Sequence, residues 1–172
     1  MTVHARKVLR DSEHVLDVMT ADMPTELWRP RWAGLVAFLR AVGHVLDKVD
    51  GDASDPARKV IDSAWQQLRQ SKPQPAIFWE FIEAERNNLL KAYEIGAGVN
   101  IIVRPGAAWL NFATGETGSG PGGPTTFEAF MRSGPFQGRD PLELCREAIA
   151  FWHGYLDSID HEVAARQTGP AV

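Results

Sequence analysis

Apolar residues recur every three or four positions along five stretches of this chain, the spacing that one face of an α-helix requires. The first stretch, about residues 4–20, places Val8, Val15, Leu16 and Met19 on one side. Pro24 and Pro30 punctuate the entry to the second, which runs to about Val49 with a stripe of Trp28, Trp32, Leu35, Leu39, Val42, Leu46 and Val49. DGDASDP (50–56) breaks the pattern, and Asp55-Pro56 predicts an N-cap and first turn for a third helix with Ile61, Ala64, Trp65 and Leu68 inward. SKPQP (71–75) admits a fourth, FWEFIEAERNNLLKAYEIG (78–96), which should stop near Gly96 and Gly98. Asp140-Pro141-Leu142-Glu143 joins an N-cap, a first-turn proline and a capping-box glutamate at the head of the fifth. Its stripe is Leu142, Cys145, Ile149, Trp152, Leu156, Ile159 and Val163. Trp28, Trp32, Trp65, Trp79 and Trp152 all fall on such stripes, which predicts core positions with partnered indole N–H groups.

Residues 97–139 follow another rule. VNIIV (99–103), a Pro-Gly turn at 105–106 and AAWLNFA (107–113) predict a small hairpin. TGETGSGPGGPT (114–125) is too rich in glycine to favour one conformation, and TTFEAFM (125–131) suits either a third strand or a short helix. The fold expected is mainly α: a single helical-bundle domain over 1–172, of about five helices, with 97–139 as a β-containing, partly flexible insertion before the last helix.

The fourth helix carries a polar island, Glu85, Arg86, Asn87 and Asn88, within an otherwise apolar pattern. With Ile82 at zero and 100° per residue, Phe78, Leu89 and Tyr93 lie within about 40° of it, Arg86 at about +40° and Glu85 at about −60°. Asn87, Asn88 and Lys91 point outward. An enclosed guanidinium keeps its proton and needs a partner, and removing that partner costs on the order of 3–5 kcal/mol. Arg86 is therefore expected either in a structural pair with a carboxylate or loop carbonyls, or in a cleft awaiting a phosphate or carboxylate ligand. On the second helix, Ala33, Gly34, Ala37 and Ala41 form a small-residue face suited to close helix approach. Arg40 and His44 flank it, so Arg40, His44, Glu85 and Arg86 are candidates for one shared cleft.

Composition narrows the functional classes. The formal charge of −4 over 172 residues gives no general attraction to nucleic acid, so any such binding needs a local basic patch. The single cysteine, Cys145, excludes an internal disulfide and a thiolate metal cage, and no Glu-x-x-His pair supports a di-metal site, so no metal or cofactor is expected. Gly118-Ser-Gly120-Pro-Gly122-Gly123 fits a nucleotide-loop spelling but lacks the strand–helix context. The N-terminal residues are charged throughout and the longest apolar run, WAGLVAFL (32–39), is far short of the roughly 20 residues that span a bilayer. A cytoplasmic protein with no membrane partner is expected.

Arg86-Asn87 in a late bundle helix resembles the start of the signature of the HEPN superfamily of small helical domains. That signature continues with a histidine five to seven positions after the arginine, where this chain has Lys91, Ala92 and Tyr93. The resemblance spans at most residues 28–96. It implies RNA or nucleotide binding through Arg86, a place in a toxin–antitoxin or other stress or defence module, and assembly as a homodimer, with cleavage chemistry put in doubt or taken over by Tyr93 or His44. The other class of function is a non-enzymatic module whose helices and loop dock a protein partner, with Arg86 purely internal.

Overall fold

The structure is a computed structural model that describes residues 1–102, 106, 108–110, 117–120 and 125–168. Helix α1 (Val3–Asp17) packs along α2 (Thr25–Val45), which continues into a widened turn at Leu46–Asp50 and a tight one at Gly51–Ala53. Helix α3 (Asp55–Gln70) follows. A second widened turn, Ile77–Ile82, leads directly into α4 (Glu83–Ala92), and the long α5 (Pro141–Thr168) closes the bundle. The chain is thus a mainly α bundle with a small β insertion before its last helix.

The stripes read from the sequence build the core. On α2, Trp28, Trp32, Leu35, Leu39, Val42 and Leu46 are buried, while Val49, at the end of the widened turn, is 44% exposed. On α5, Leu142, Cys145, Trp152, Leu156, Ile159 and Val163 are buried and Ile149 packs at the margin. The buried seam of α1 is Ala5, Leu9, Ser12 and Leu16, which leaves Val8 and Val15 half-buried on its flank. The small-residue face of α2 stays open: a Cβ at Gly34 would meet nothing within 4 Å. Close approach occurs instead at Gly43, where a Cβ would lie 2.8 Å from Cη2 of Trp152, because α5 crosses α2 on its buried side.

Three helix ends differ from their predicted caps. The hydroxyl of Ser54 accepts the Ala57 N–H at 3.3 Å, so Ser54 is the N-cap of α3 and Asp55 its first residue. Asp140 caps α5 through the Leu142 N–H at 2.8 Å, but Glu143 turns to Arg146 at 2.6 Å instead of completing a capping box. Helix α4 stops at Ala92, short of the glycines. Tyr93 takes a left-handed conformation (φ 53°), and the Glu94 N–H reaches back to the Asn88 carbonyl at 3.3 Å, the pattern of a Schellman stop.

Among the described residues VNIIV and AAWLNFA do not pair with each other as the predicted hairpin requires. Strand β1 (Ala97–Ile102) pairs antiparallel with β4 (Thr126–Met131), so TTFEAFM is a strand, and β2 (Ala108–Leu110) pairs with β3 (Thr117–Ser119). A clamp at the bundle surface sets this pairing: the Arg132 N–H donates to the Gly96 carbonyl at 2.7 Å and the Met131 N–H to the Arg139 carbonyl at 2.9 Å. Pro105 and the stretches 111–116 and 121–124, where the Pro-Gly turn and most of the glycine-rich tract fall, lie outside the described residues.

Among the described residues the indole N–H groups of Trp28, Trp79 and Trp152 find no acceptor, contrary to the expectation for buried tryptophan. Ring packing holds them: Trp28 stacks on Trp32 at 5.2 Å, and Trp79 and Trp152 meet Phe78 edge-to-face at 4.8 and 5.7 Å. Among the described residues no helix is long and apolar enough to cross a membrane.

Candidate anion-binding face

The buried set of the fourth helical segment is Phe78, Phe81, Ile82 and Glu85. Taken from Ile82 at 100° per residue, that set centres about 50° to the side of Glu85. The rotation draws Glu85 inside and leaves Arg86 half-buried at the edge. It also explains why Tyr93, placed on the stripe by the wheel, is 66% exposed beyond the helix stop.

Arg86 donates to the side chain of its neighbour, Asn87, at 2.9 Å. Among the described residues it has no carboxylate within the 4.0 Å of an ion pair, and neither has Arg40. The two guanidiniums are half-buried and close enough to repel. Burial lowers the pKa of Arg40 from its ordinary value, Glu83 pulls it back, and Arg86 lowers it further. The Arg40 guanidinium rests 6.0 Å from the ring centres of both Trp65 on α3 and Phe78. Arg69 also lies over Trp65, at 5.8 Å, and Lys72 over Trp79 at 4.8 Å. Three cations from α2, α3 and the α3–α4 link therefore gather around three aromatic rings, with Arg86 on α4 close enough to Arg40 to act on its charge.

The six sequence candidates divide between two sides of α4. Arg40, Arg86 and Asn87 belong to the cationic face, with His44 exposed one helical turn beyond Arg40. Glu85 turns the other way, toward β1. It is 6% exposed, and its Oε2 accepts the Gly96 N–H at 3.1 Å. Burial raises its pKa, opposed by that N–H and by hydrogen bonds from Trp32 and Asn88. Its carboxylate fills the space a side chain at Gly96 would need, which fixes glycine there. Tyr93 lies on this second side too, under the guanidinium of Arg29 at 5.3 Å, beside a cleft of about 740 Å³. The sequence reading missed Trp65, Arg69 and Lys72. The four-residue step from Trp65 to Arg69 was a visible signal for a cation over a ring.

Paired guanidinium forks of this kind hold phosphate or carboxylate oxygens well, and partial burial strengthens the attraction by excluding water. Burial raises the pKa of the Cys145 thiol far above its ordinary value, which makes it a poor nucleophile.

Comparison with known proteins gave no matching family model, no matching curated protein and no matching solved structure.

Proposed function

We propose that this protein binds the phosphate groups of RNA or a nucleotide on the face formed by Arg40 and Arg86. One observation carries the reading: among the described residues the two adjacent, half-buried guanidiniums have no carboxylate within ion-pair distance, Glu83 acting on Arg40 only from further off, so an incoming anion supplies the missing contact. Isolated surface arginines would give no such argument, since water satisfies them. Here burial and mutual repulsion make the unliganded face costly and the liganded one favourable. Arg69 and Lys72 extend the positive field along the chain's surface, with the edges of Trp65 and Trp79 beside it for contact with a base or sugar.

The Arg86-Asn87 hydrogen bond gives the resemblance to the HEPN signature a physical role, because the amide fixes the guanidinium's orientation. The signature's histidine is absent, and among the described residues no acid–base pair is held against the two arginines. The activity proposed is therefore binding without cleavage.

The test is fluorescence anisotropy with a labelled single-stranded RNA of about twenty nucleotides, followed by gel analysis of the RNA. Saturable, salt-sensitive binding that Arg40→Ala/Arg86→Ala reduces at least tenfold, with the RNA left intact, is the expected result. Binding that is absent from the wild type, or unchanged in the double variant, removes the proposal.

A further inference from the structure

On the second side of α4 lies the cleft of about 740 Å³, walled by the start of α2 and by β1. That volume falls within the roughly 300–1,000 Å³ typical of sites for small organic ligands. Its apolar lining includes Trp28, Val99, Ile101 and Phe127, of which Ile101 and Phe127 are 64% and 38% exposed.

The α2 wall holds polar groups that lack partners. Trp28 stacks on Trp32, one helical turn away, with the rings only 11° from parallel. The Trp32 N–H has the Glu85 carboxylate. That of Trp28, a residue 5% exposed, has no acceptor among the described residues. One turn earlier α2 begins without a side-chain cap, since Pro24 has no polar group to offer. The N–H groups of Thr25 and Glu26 have no acceptor among the described residues. An open helix start attracts a carboxylate through both its N–H groups and the macrodipole.

The rim adds four charges of balanced sign. Arg29 lies over Tyr93 at 5.3 Å. Arg132 lies across Gly98, its Nε 2.9 Å from where a Cβ would stand. Asp22 and Glu94 oppose them, and among the described residues none of the four joins an ion pair. An anion alone would be repelled by the two carboxylates, and a cation alone by the two arginines. A neutral apolar ligand would strip water from all four and replace none of it. A zwitterion answers both signs. Its carboxylate suits the arginines, the start of α2 and the Trp28 N–H, while its ammonium suits Asp22 and Glu94. The apolar lining comes from both α2 and the β-ribbon, so several apolar side chains fill it better than one.

We propose that this cleft binds a short free peptide of apolar residues, held at both of its charged ends, independently of the arginine face.

Isothermal titration and ¹H–¹⁵N NMR of the full chain with the tripeptide Leu-Phe-Leu test this. The wild type should bind with a dissociation constant of about 1 mM or lower. The Trp28 indole N–H resonance, assigned from its loss in Trp28→Phe, should move downfield during the titration. Acetylating the peptide's amine or amidating its carboxyl should each weaken binding by about tenfold or more. Asp22→Asn/Glu94→Gln should lose the first preference and Arg29→Gln/Arg132→Gln the second. Both double variants should keep the wild-type circular dichroism, because all four side chains are exposed. Arg40→Ala/Arg86→Ala should bind the peptide as the wild type does. Absence of binding at the peptide's solubility limit overturns the proposal, as does a Trp28 resonance that stays unmoved. Binding indifferent to both blocking groups overturns it in favour of a merely apolar surface. Binding that tolerates acetylation but not amidation overturns it in favour of a longer chain's C-terminus, and free leucine binding as tightly as the tripeptide in favour of an amino acid. Variants that keep both preferences overturn it too.

Discussion

Asp50 closes the N-terminus of a helix 45 residues away, its Oδ2 accepting the Ala5 N–H at 2.8 Å. Its other oxygen takes the His4 N–H at 3.0 Å, so one buried carboxylate satisfies two of the orphan donors that begin α1. The helix macrodipole favours a negative group at that end. Thr2 hands its N–H to Asp160 on α5 at 2.7 Å, which ties the same turn to a second element. The start of α1 is therefore held by tertiary caps, since Thr2 itself supplies no side-chain cap.

Asp50→Ala should cost roughly 2–4 kcal/mol, because two buried N–H groups lose their acceptor together. Chemical denaturation at neutral pH measures it. A loss under about 0.5 kcal/mol would mean that water or another group replaces the carboxylate.

Glu85 makes a prediction whose size depends on pH. Glu85→Ala strands the Gly96 N–H and should destabilise the fold by roughly 2 kcal/mol. The folded-state pKa is raised, chiefly by burial, so the protonated form is favoured by folding. The stability that shift contributes is fully present below the unfolded carboxyl pKa and is lost as pH rises through the folded value. The gap between wild type and Glu85→Ala should thus be widest in mild acid and narrow toward neutrality. A gap that widens on raising the pH contradicts the environment described for Glu85.

Arg40→Met keeps an apolar stem against Trp65 and Phe78 while removing one of two repelling charges. In buffer without phosphate the variant should melt at a temperature equal to or a few degrees above that of the wild type. Inorganic phosphate should raise the melting temperature of the wild type and leave the variant unmoved. A variant that melts well below the wild type in every buffer would show that Arg40 serves packing alone.

Gly43→Ala tests the α2–α5 crossing. The added methyl meets the indole of Trp152, a rigid and fully buried group, so α5 must shift outward. A loss of about 1–3 kcal/mol is expected in thermal or chemical unfolding. Gly34→Ala, on the open face of the same helix, should instead be neutral or stabilising.

Much of the bundle was legible because helical stripes are local. The spacing from Trp28 to Leu46 fixes which side of α2 is apolar without reference to any partner, and that side is buried. The failures share another cause: each depended on what a distant element covers. Neither the choice between the two sides of Gly34 and Gly43 nor the pairing of β1 with a strand more than twenty residues onward is written in either segment alone. The polar island shows both cases within one turn. Its sequence announced that charge enters the core, but the depth of Glu85 against Arg86 turns on a rotation of about 50°, set by what packs around the helix. Arg40 was legible as a companion of Arg86; its seat on Trp65 and Phe78 was not, since those rings come from other elements.

The clamp that joins Gly96 to Arg132 has a consequence for how this architecture can vary. Chain leaves and re-enters the bundle at neighbouring points, so the helices register only the stem at Ala97 and Met131, whose side chains complete the core. What is carried beyond that stem can lengthen, shorten or be exchanged for a two-residue turn at little entropic penalty to the helices. The bundle behaves as a socket and the ribbon as an exchangeable plug, which can be replaced while the arginine face is left as it was.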